Sequence, residues 1–383
     1  MTGFGTRRVR SFALVLCMGV ASLTGCTDDA TFSPELAKGL QGQVDRDRAA
    51  YRLPGISAAV VLPDGSVWTG SSGKADTASG RGVNTGTVFA VGSITKTFVS
   101  ALTLKLAEDG ELSLDDRIGK WVPEFPRSKG SNASIRQLLR HTSGIYDFGD
   151  NPMFEKAVSQ GRTPWTPKKT LKYVKAPYFP PGTDFTYSNT NYILLGMAAE
   201  RAAGRPLAEQ IRARLLEPLG LERISLQSGS SGFADHAHGY SAINHGLTHN
   251  DVSDGTSLVP NATSSQWAWA AGGMAADARS IAVWADSLFG GRVLEEASLD
   301  EMIDVRDTGD GFDYGLGVIG AESASGSRKM LGHDGEMDGF LSTMYYLPAE
   351  DVTVVVLVND SDSRSLWNIR DNLLDTVLAQ IEE

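Results

Sequence analysis

Gly92-Ser93-Ile94-Thr95-Lys96 opens the most regular helical pattern in this chain of 383 residues. Apolar residues recur at helical spacing from Ile94 to Leu106, and Gly110 ends the pattern. The spacing predicts a helix over residues 93–109, with the Ser93 hydroxyl at its first turn and the Lys96 amine one turn later on the same face. We therefore expect these two side chains to be in contact.

This pair has the chemistry of an activated nucleophile. A serine hydroxyl attacks readily only when a neighbouring group accepts its proton, and burial can lower the pKa of a lysine enough for it to do so. Free backbone N–H groups at the same helix start can stabilise an oxyanion. The pattern alone is not specific, because Ser-x-x-Lys also occurs from Ser71 to Lys74, where no helix follows.

Two further motifs supply groups that can move a proton. Tyr187-Ser188-Asn189 follows the turn residues Pro181-Gly182, and Gly332-His333-Asp334-Gly335 lies in a predicted late strand. A capped turn before a helix is the alternative interpretation of the first motif. In the company of Ser93 and Lys96, both motifs favour an active site.

The predicted elements divide the chain into an outer part and a middle part. A helix over 34–51 and hairpin strands over 56–62 and 66–70 come first. Helical patterns fill residues 99–264, and no strand is predicted there. The later predictions are a helix over 275–289, strands over 314–318, 329–333, 340–346 and 352–358, and a last helix over 363–381.

This order of elements predicts the fold class α+β. We expect one antiparallel sheet built from both ends of the chain and flanked by the terminal helices, with an inserted all-helical region. The α/β part then comprises residues 33–98 and 265–383, and the helical part comprises residues 99–264. The cleft between the two parts is the expected place for the active site.

The first 26 residues are typical of an export signal. Three arginines between residues 7 and 10 precede a short apolar run over 12–21. The run leads to Leu23-Thr24-Gly25-Cys26, which resembles a bacterial lipobox, so we expect a lipid on Cys26 and a polar tether over 27–32; a plain secretory signal with an incidental cysteine is the alternative. The protein is then exported and anchored at the outer face of the cytoplasmic membrane, or in the periplasm or cell wall.

Composition excludes several classes of function. The net charge of −11 argues against nucleic acid, which is bound through clustered Lys and Arg. Cys17 lies in the predicted signal, so neither a disulfide nor a thiol nucleophile is expected in the mature protein. Four histidines lie within fourteen residues, but their spacing matches no metal-binding motif and favours a solvated loop. We expect no metal and no cofactor. The histidines are His236, His238, His245 and His249.

The motifs resemble those of the family that contains class C β-lactamases, soluble D-alanyl-D-alanine carboxypeptidases and related esterases. The resemblance covers nearly the whole predicted mature chain and implies a β-lactamase/transpeptidase-like fold. Beside the three motifs above, it rests on Phe89-Ala90-Val91, Gln137-Leu138-Leu139-Arg140-His141-Thr142-Ser143-Gly144, Thr190-Asn191-Tyr192, Ala271-Gly272-Gly273-Met274 and Tyr314-Gly315-Leu316-Gly317.

The resemblance assigns catalytic roles by motif. It makes Ser93 the nucleophile and Lys96 its proton acceptor, and it makes Tyr187 the group that passes the proton to the leaving group. His333 stands where many relatives have lysine, and it is expected to position Tyr187 and bias its proton. Asn189 is expected to hold the substrate amide.

The resemblance also implies binding residues. The backbone N–H groups of Ser93 and of Glu336, which follows Gly335, would form the oxyanion hole. Phe154 and Trp267 resemble the aromatic pair that lines the cleft in the soluble carboxypeptidases, and buried core aromatics are the equal alternative. His141 is interpreted as a structural residue of its turn.

The expected function is an acyl-enzyme serine hydrolase, foremost a penicillin-binding D-alanyl-D-alanine carboxypeptidase that acts on peptidoglycan stem peptides. One feature departs from that pattern: soluble carboxypeptidases show His-Thr-Gly-Thr where this chain has His333-Asp334-Gly335-Glu336. We expect the two acids to repel a substrate carboxylate.

Two alternatives therefore stay open. One is an esterase, amidase or β-lactamase of the same family, and the other is a non-catalytic penicillin-binding sensor. The expected partners are a peptidoglycan peptide or a small ester or β-lactam substrate, and the membrane through the lipid anchor.

Overall fold

The structure is a computed structural model that describes residues 32–381 except 162–163, 228–231, 244–247, 325, 327 and 362–365. The predicted export signal, Cys26 and the tether up to residue 31 lie outside the described residues. No helix in the described ranges is long and apolar enough to cross a bilayer.

The main sheet has nine antiparallel strands among the described residues. The strands of this sheet are β1 (Gly55–Val61), β2 (Val67–Asp76), β3 (Arg81–Gly82), β9 (Arg306–Asp307), β10 (Asp313–Tyr314), β11 (Ile319–Glu322), β12 (Lys329–Met337), β13 (Phe340–Leu347) and β14 (Val352–Val358). Their order in the sheet is β3-β2-β1-β14-β13-β12-β11-β10-β9, so the first three strands of the chain join the last six in one sheet. Two small sheets contain β4 (Phe89–Ala90), β5 (Ile224–Leu226), β6 (Tyr240–Ile243), β7 (Thr248–Asp251) and β8 (Met274–Ala276).

The helices cover both faces of this sheet. They are α1 (Pro34–Ala50), α2 (Thr95–Glu108), α3 (Ile118–Trp121), α4 (Ile135–Leu139), α5 (Pro152–Ser159), α6 (Pro167–Thr170), α7 (Asn189–Ala203), α8 (Leu207–Ile211), α9 (Ala262–Gly272), α10 (Ala278–Phe289), α11 (Glu296–Met302) and α12 (Leu366–Ile381). The terminal helices α1 and α12 pack against each other on one face, and α10 packs on the other face against β1, β13 and β14. The predicted α+β fold with flanking terminal helices is confirmed.

The central strands β1 and β14 explain why the sheet needs cover on both faces. Every residue of Gly55–Val61 and of Val352–Val358 is buried. Alternate residues point to opposite faces of a strand. Ile56 and Val354 accordingly pack with the terminal helices, while Ala59 and Val355 belong to the larger core with α2 and α10. Strands that are buried along their whole length need cover on both faces, and helices provide it here.

The middle region is not all-helical, and this part of the expectation is wrong. Ile224–Leu226 forms β5, which pairs with β8, and Tyr240–Ile243 pairs with Thr248–Asp251 as a hairpin. Strands of three or four residues are too short to show an alternation of polar and apolar residues that can be read from the sequence. β5 forms because it pairs with β8, and β6 and β7 form because they pair with each other. Local propensity does not determine these strands.

The predicted strand over 314–318 is also corrected. The chain forms β10 and β11 instead, because Gly317 between them adopts φ +79° and turns the backbone. β11 pairs with β12 only up to Gly332, which lies opposite Ile319. The half of β12 that begins at His333 therefore lies beyond the paired part of β11.

Two glycines allow β12 to contact the turn before α2. Gly92 has φ +49°, and a Cβ on it would lie 2.6 Å from the backbone nitrogen of Glu336. A Cβ on Gly335 would lie 2.1 Å from the carbonyl oxygen of Val91. Both distances are far below a van der Waals contact, so only glycine permits this approach of two backbones. The contact places β12 directly beside Ser93.

We expect Gly335→Ala to separate β12 from this turn. The added methyl group has no space, so the free energy of unfolding should fall by about 1–3 kcal/mol and the rate of any reaction at Ser93 should fall at least tenfold. Thermal unfolding and ester hydrolysis measure the two effects. The matched control is Gly82→Ala, where the nearest atom to the new Cβ lies 3.8 Å away. A Gly335→Ala protein with unchanged activity would contradict this account of the contact.

Candidate active site

Ser93 and Lys96 are in contact, as their spacing predicts. Ser93 lies in a 3-10 turn, Gly92–Ile94, and Lys96 lies in the first turn of α2. The Lys96 Nζ is 2.9 Å from the Ser93 Oγ. The lysine side chain is 0% exposed, and burial lowers its pKa to about 7. A buried ammonium is costly, so a large fraction of this amine is neutral near pH 7.

Lys96 contacts two further acceptors, the Asn189 Oδ1 at 2.9 Å and the Ala271 carbonyl oxygen at 2.7 Å. A neutral amine has two N–H donors and one lone pair. If the two donors go to Asn189 and Ala271, the lone pair faces the Ser93 hydroxyl. This is the arrangement that a proton acceptor for the nucleophile requires.

A strained residue precedes the carbonyl that contacts Lys96. Trp269 lies inside α9 with φ 35° and ψ −117°, values outside the helical region. The kink redirects the last turn of the helix, from which Ala271 presents its carbonyl oxygen to Lys96. Backbone strain of this kind costs about 1–3 kcal/mol and is found preferentially at functional sites.

Tyr187 lies over the same lysine. The Lys96 Nζ is 4.9 Å from the centre of the Tyr187 ring. Burial raises the pKa of the phenol well above its ordinary value, although hydrogen bonding to Ser93 lowers it in part. Tyr187 therefore keeps its proton at neutral pH and can donate it.

His141 supports the Tyr187 segment from behind. Its ring is 4.3 Å from the Tyr187 ring, and its Nδ1 accepts a hydrogen bond from the Ser188 backbone N–H at 3.0 Å. Burial holds the pKa of His141 well below its ordinary value, so the ring is neutral. An acceptor Nδ1 places the ring proton on Nε2. These contacts agree with the structural role expected for His141.

His333 lies beside Tyr187, with ring centres 6.3 Å apart. Its Nδ1 donates to the carbonyl oxygen of Asp334 at 2.5 Å, and its Nε2 accepts from the Tyr314 hydroxyl at 3.2 Å. Burial lowers the pKa of His333 to about 3, so the ring is neutral. Its hydrogen bonds go to neighbours other than Tyr187, and its expected influence on Tyr187 stays a prediction.

Asp147 is a site residue that the sequence motifs do not reveal. Its buried carboxylate accepts hydrogen bonds from the Asn189 backbone N–H at 2.6 Å, from the Asn189 Nδ2 at 3.0 Å and from the Gly149 N–H at 2.7 Å. The bond to Nδ2 turns the Asn189 Oδ1 toward Lys96. Burial raises the pKa of Asp147, while the backbone N–H donors of Asn189 and Gly149 lower it. The charge of Asp147 in turn raises the pKa of Lys96, against the effect of burial.

Asn189 is therefore held between an acid and a base. The predicted contact with a substrate amide would use the second Nδ2 hydrogen, because the first is donated to Asp147. The signal for Asp147 in the sequence is weak. It is a single acid between the aromatic residues Tyr146 and Phe148.

The Ser93 pocket encloses about 350 Å³ beside the open part of β12. Its lining combines the catalytic motifs with apolar residues, and two of those come from α12. The lining residues are Ser93, Tyr187, Ile319, His333, Asp334, Gly335, Glu336, Leu341, Leu366 and Trp367. The contribution of α12 was not predicted. The available signal is Trp367 itself, an aromatic residue next to the apolar face formed by Leu366 and Ile369.

The two acids of the third motif, Asp334 and Glu336, have different surroundings. Asp334 Oδ2 accepts hydrogen bonds from the Trp367 Nε1 at 3.0 Å and from the Tyr345 hydroxyl at 3.2 Å. Glu336 is exposed. Asp334 is thus hydrogen-bonded to the protein through one oxygen, whereas the Glu336 side chain is exposed. Because both acids line the pocket, the expected repulsion of a substrate carboxylate stays a prediction. The Glu336 backbone N–H lies on the segment that contacts Gly92, next to Ser93, which fits the predicted oxyanion hole.

Phe154 and Trp267 contact each other edge to face, with ring centres 5.4 Å apart. Phe154 is buried in an aromatic cluster with Phe148, Trp165 and Tyr173. Neither residue of the pair belongs to the described lining of the Ser93 pocket. Phe154 thus has the position of a core aromatic, and a substrate contact through half-buried Trp267 stays a prediction.

A larger cleft of about 590 Å³ lies next to Tyr314 and contains three arginines. Each of them is paired with a carboxylate: Arg140 with Asp304 at 3.3 Å, Arg306 with the same Asp304 at 2.7 Å, and Arg136 with Asp115 at 3.3 Å. These cations are therefore engaged by acids of the protein itself.

The histidine-rich segment contains no cluster of three potential metal ligands within the part of the chain that the structure describes. His236 Nδ1 contacts the Phe233 carbonyl oxygen at 2.7 Å, His238 pairs with Asp251 at 2.8 Å, and His249 pairs with Asp360 at 3.2 Å. His245 lies outside the described residues.

Comparison with known proteins gives a consistent picture. A family model described as Beta-lactamase matches residues 40–376. The D-aminopeptidase of Cereibacter sphaeroides is 27% identical over 329 residues, which are 83% of this chain and 60% of that protein. Penicillin-binding protein 4 of Amycolatopsis lactamdurans is 32% identical over 191 residues, which are 48% of this chain and 47% of that protein. The chain thus spans less than two thirds of the length of these relatives.

A solved structure extends the likeness to the fold. The D-amino acid amidase from Ochrobactrum anthropi SV3, complexed with L-phenylalanine amide, superposes with a TM-score of 0.78 at 26% identity. The match covers 91% of this chain and 99% of that chain.

We expect Asp147→Asn to change the pH dependence of catalysis. Loss of the negative charge removes an effect that raises the pKa of Lys96, so the acidic limb of kcat/KM should move about one unit below its wild-type midpoint near 7. Activity at the optimum should fall about tenfold to a hundredfold, because an amide has one acceptor oxygen in place of two and cannot accept all three hydrogen bonds that orient Asn189 and Gly149.

Ester hydrolysis between pH 4 and 9 measures this shift. The matched control is Asp150→Asn, because Asp150 is exposed in the same turn and contacts Tyr178 instead of Asn189. An acidic limb that stays in place in Asp147→Asn would contradict the electrostatic coupling.

Proposed function

The chain belongs to the β-lactamase family of serine hydrolases, and from this premise we propose that it cleaves amide or ester bonds whose leaving group carries no carboxylate. The reaction proceeds through an acyl-enzyme on Ser93. The single observation that carries the choice of substrate is the charge of the pocket. Among its described lining residues, Glu336 is the exposed charged group, and no lysine or arginine accompanies it.

The contacts at Ser93 support the following sequence of steps. Neutral Lys96 takes the Ser93 proton as the Oγ attacks the carbonyl carbon, and backbone N–H groups of Ser93 and Glu336 stabilise the oxyanion. Tyr187, which is protonated, donates its proton to the leaving group and recovers one from Lys96. A water molecule then hydrolyses the acyl-enzyme by the same groups in reverse.

Electrostatics disfavours a terminal carboxylate in this pocket. A substrate carboxylate would lie near Glu336, and His333 is neutral because burial lowers its pKa to about 3. Like charges at contact distance cost about 1 kcal/mol even in water. An amide, an ester or an ammonium group meets no such penalty.

The likeness to relatives supports the same substrate class. The names D-aminopeptidase and D-amino acid amidase refer to an amino-terminal residue and to an amide. We propose small D-amino acid amides, amino-terminal D-residues of peptides, and short esters as the substrates to test first.

A second candidate is the D-alanyl-D-alanine carboxypeptidase that the sequence motifs suggest. The similarity to a penicillin-binding protein favours it. Export and lipidation at Cys26, which we propose from the lipobox pattern, would also place the protein beside peptidoglycan. A non-catalytic sensor is disfavoured, because such a protein has no need for the complete contact set of Ser93, Lys96, Tyr187 and Asn189.

Turnover of three substrates distinguishes these functions. We expect D-alanine amide and p-nitrophenyl acetate to be hydrolysed, with Ser93→Ala as the inactive control. A diacetyl-lysyl-D-alanyl-D-alanine peptide should have a kcat/KM at least a hundredfold below that of the amide. Peptide turnover equal to amide turnover would favour the carboxypeptidase.

Glu336→Gln provides the matched variant for the charge argument. It should raise kcat/KM for the carboxylate-bearing peptide about fivefold and leave the neutral ester unchanged. An equal effect on both substrates would contradict an electrostatic role for Glu336.

A further inference from the structure

Trp367 is a large aromatic side chain that the protein leaves exposed at the pocket. It is 59% exposed, and it is the one strongly exposed large hydrophobic residue that lines the Ser93 pocket in the described parts of the chain. The two other exposed examples, Met153 and Tyr178, lie outside the lining of this pocket. Exposed apolar surface beside a nucleophile indicates a binding surface.

The indole is fixed in place by a hydrogen bond as well as by its position on the helix. Its Nε1 donates to the Asp334 Oδ2 at 3.0 Å, and the Tyr345 hydroxyl donates to the same oxygen at 3.2 Å. Tyr345 in turn packs against Arg370, whose guanidinium is 4.8 Å from the ring centre. The edge of the indole is therefore held while more than half of the side chain stays exposed, which reduces the entropy lost when a ligand binds.

The neighbours of Trp367 in the pocket continue its apolar surface. Leu366 is buried in the core between the sheet and the terminal helices, and Ile319 and Leu341 pack against that core from its edge. All three residues line the pocket with Trp367. A wall of this composition gains free energy by covering apolar groups of a ligand, and an aromatic ring adds stacking on the indole.

We propose that Trp367, Leu366, Leu341 and Ile319 form an apolar subsite that binds an aromatic or branched alkyl group of the substrate. Trp367 is its specificity-determining residue, and Asp334 is the residue that positions Trp367. This inference rests on the proposed reaction at Ser93, since the subsite is useful only beside a reacting group. It also explains the acid at position 334, where soluble carboxypeptidases of the family usually show a hydroxyl.

Two boronic acids test the subsite without the need for turnover. The boron atom accepts the Ser93 Oγ, whose proton passes to Lys96, and the product is a tetrahedral boronate in which no bond of the acid has broken. Phenylboronic acid adds a ring that methylboronic acid lacks. Isothermal titration calorimetry should show about tenfold tighter binding of the phenyl compound to the wild-type protein.

In Trp367→Ala, this preference should fall at least fivefold, and the affinity for methylboronic acid should stay within twofold of wild type. Trp367→Phe should retain most of the preference, because it keeps an aromatic face. Met153→Ala, which removes an equally exposed side chain outside the pocket, should bind both compounds as wild type does. Thermal unfolding should show that Trp367→Ala is folded.

The outcomes separate two failures. An unchanged phenyl preference in Trp367→Ala would overturn the subsite alone. If Ser93→Ala bound each compound as tightly as the wild type does, the proposed reaction at Ser93 would be contradicted, and the subsite with it. The absence of binding to the wild type would contradict both as well.

Discussion

The amine of Lys96 is buried completely, and the rest of the site depends on this one constraint. A buried ammonium that lacked acceptors would destabilise the fold, so the protein surrounds the amine with the Ser93 hydroxyl, the Asn189 amide oxygen and the Ala271 carbonyl oxygen. These acceptors do not restore the ordinary pKa of a lysine. Burial lowers the pKa of Lys96 to about 7. The same burial that costs stability therefore produces a base that works at neutral pH.

The fold holds these acceptors on three separate elements that converge on Lys96. Asn189 begins α7, Ala271 follows the strained Trp269 in α9, and Ser93 lies on the turn that contacts β12. Gly92 and Gly335 permit that contact, since any side chain at either position would force the backbones apart. A change in one of these elements should thus affect catalysis through geometry, even when the substituted residue touches no substrate.

The sequence predicted what depends on local geometry. The contact of Ser93 with Lys96 follows from three residues of helical spacing, and the buried runs of β1 and β14 are readable as strands. It did not predict Asp147, because the role of that acid depends on its hydrogen bonds with Asn189, which is distant from it in the sequence. The orientation of Asp334 likewise depends on Trp367. This residue lies in α12, which the sequence predicted only as a helix that flanks the sheet. Short strands such as β5 escaped prediction because their partner is distant.

The pH dependence of acylation tests the role of Lys96 most directly. A stopped-flow measurement would follow the burst of p-nitrophenol from p-nitrophenyl acetate between pH 5 and 10, and intact-protein mass spectrometry would detect the acetyl group on wild type and Ser93→Ala. We expect an acylation rate that rises with a midpoint near pH 7, with the adduct on wild type alone. A midpoint near the ordinary lysine value of about 10, or an adduct that persists in Ser93→Ala, would contradict it.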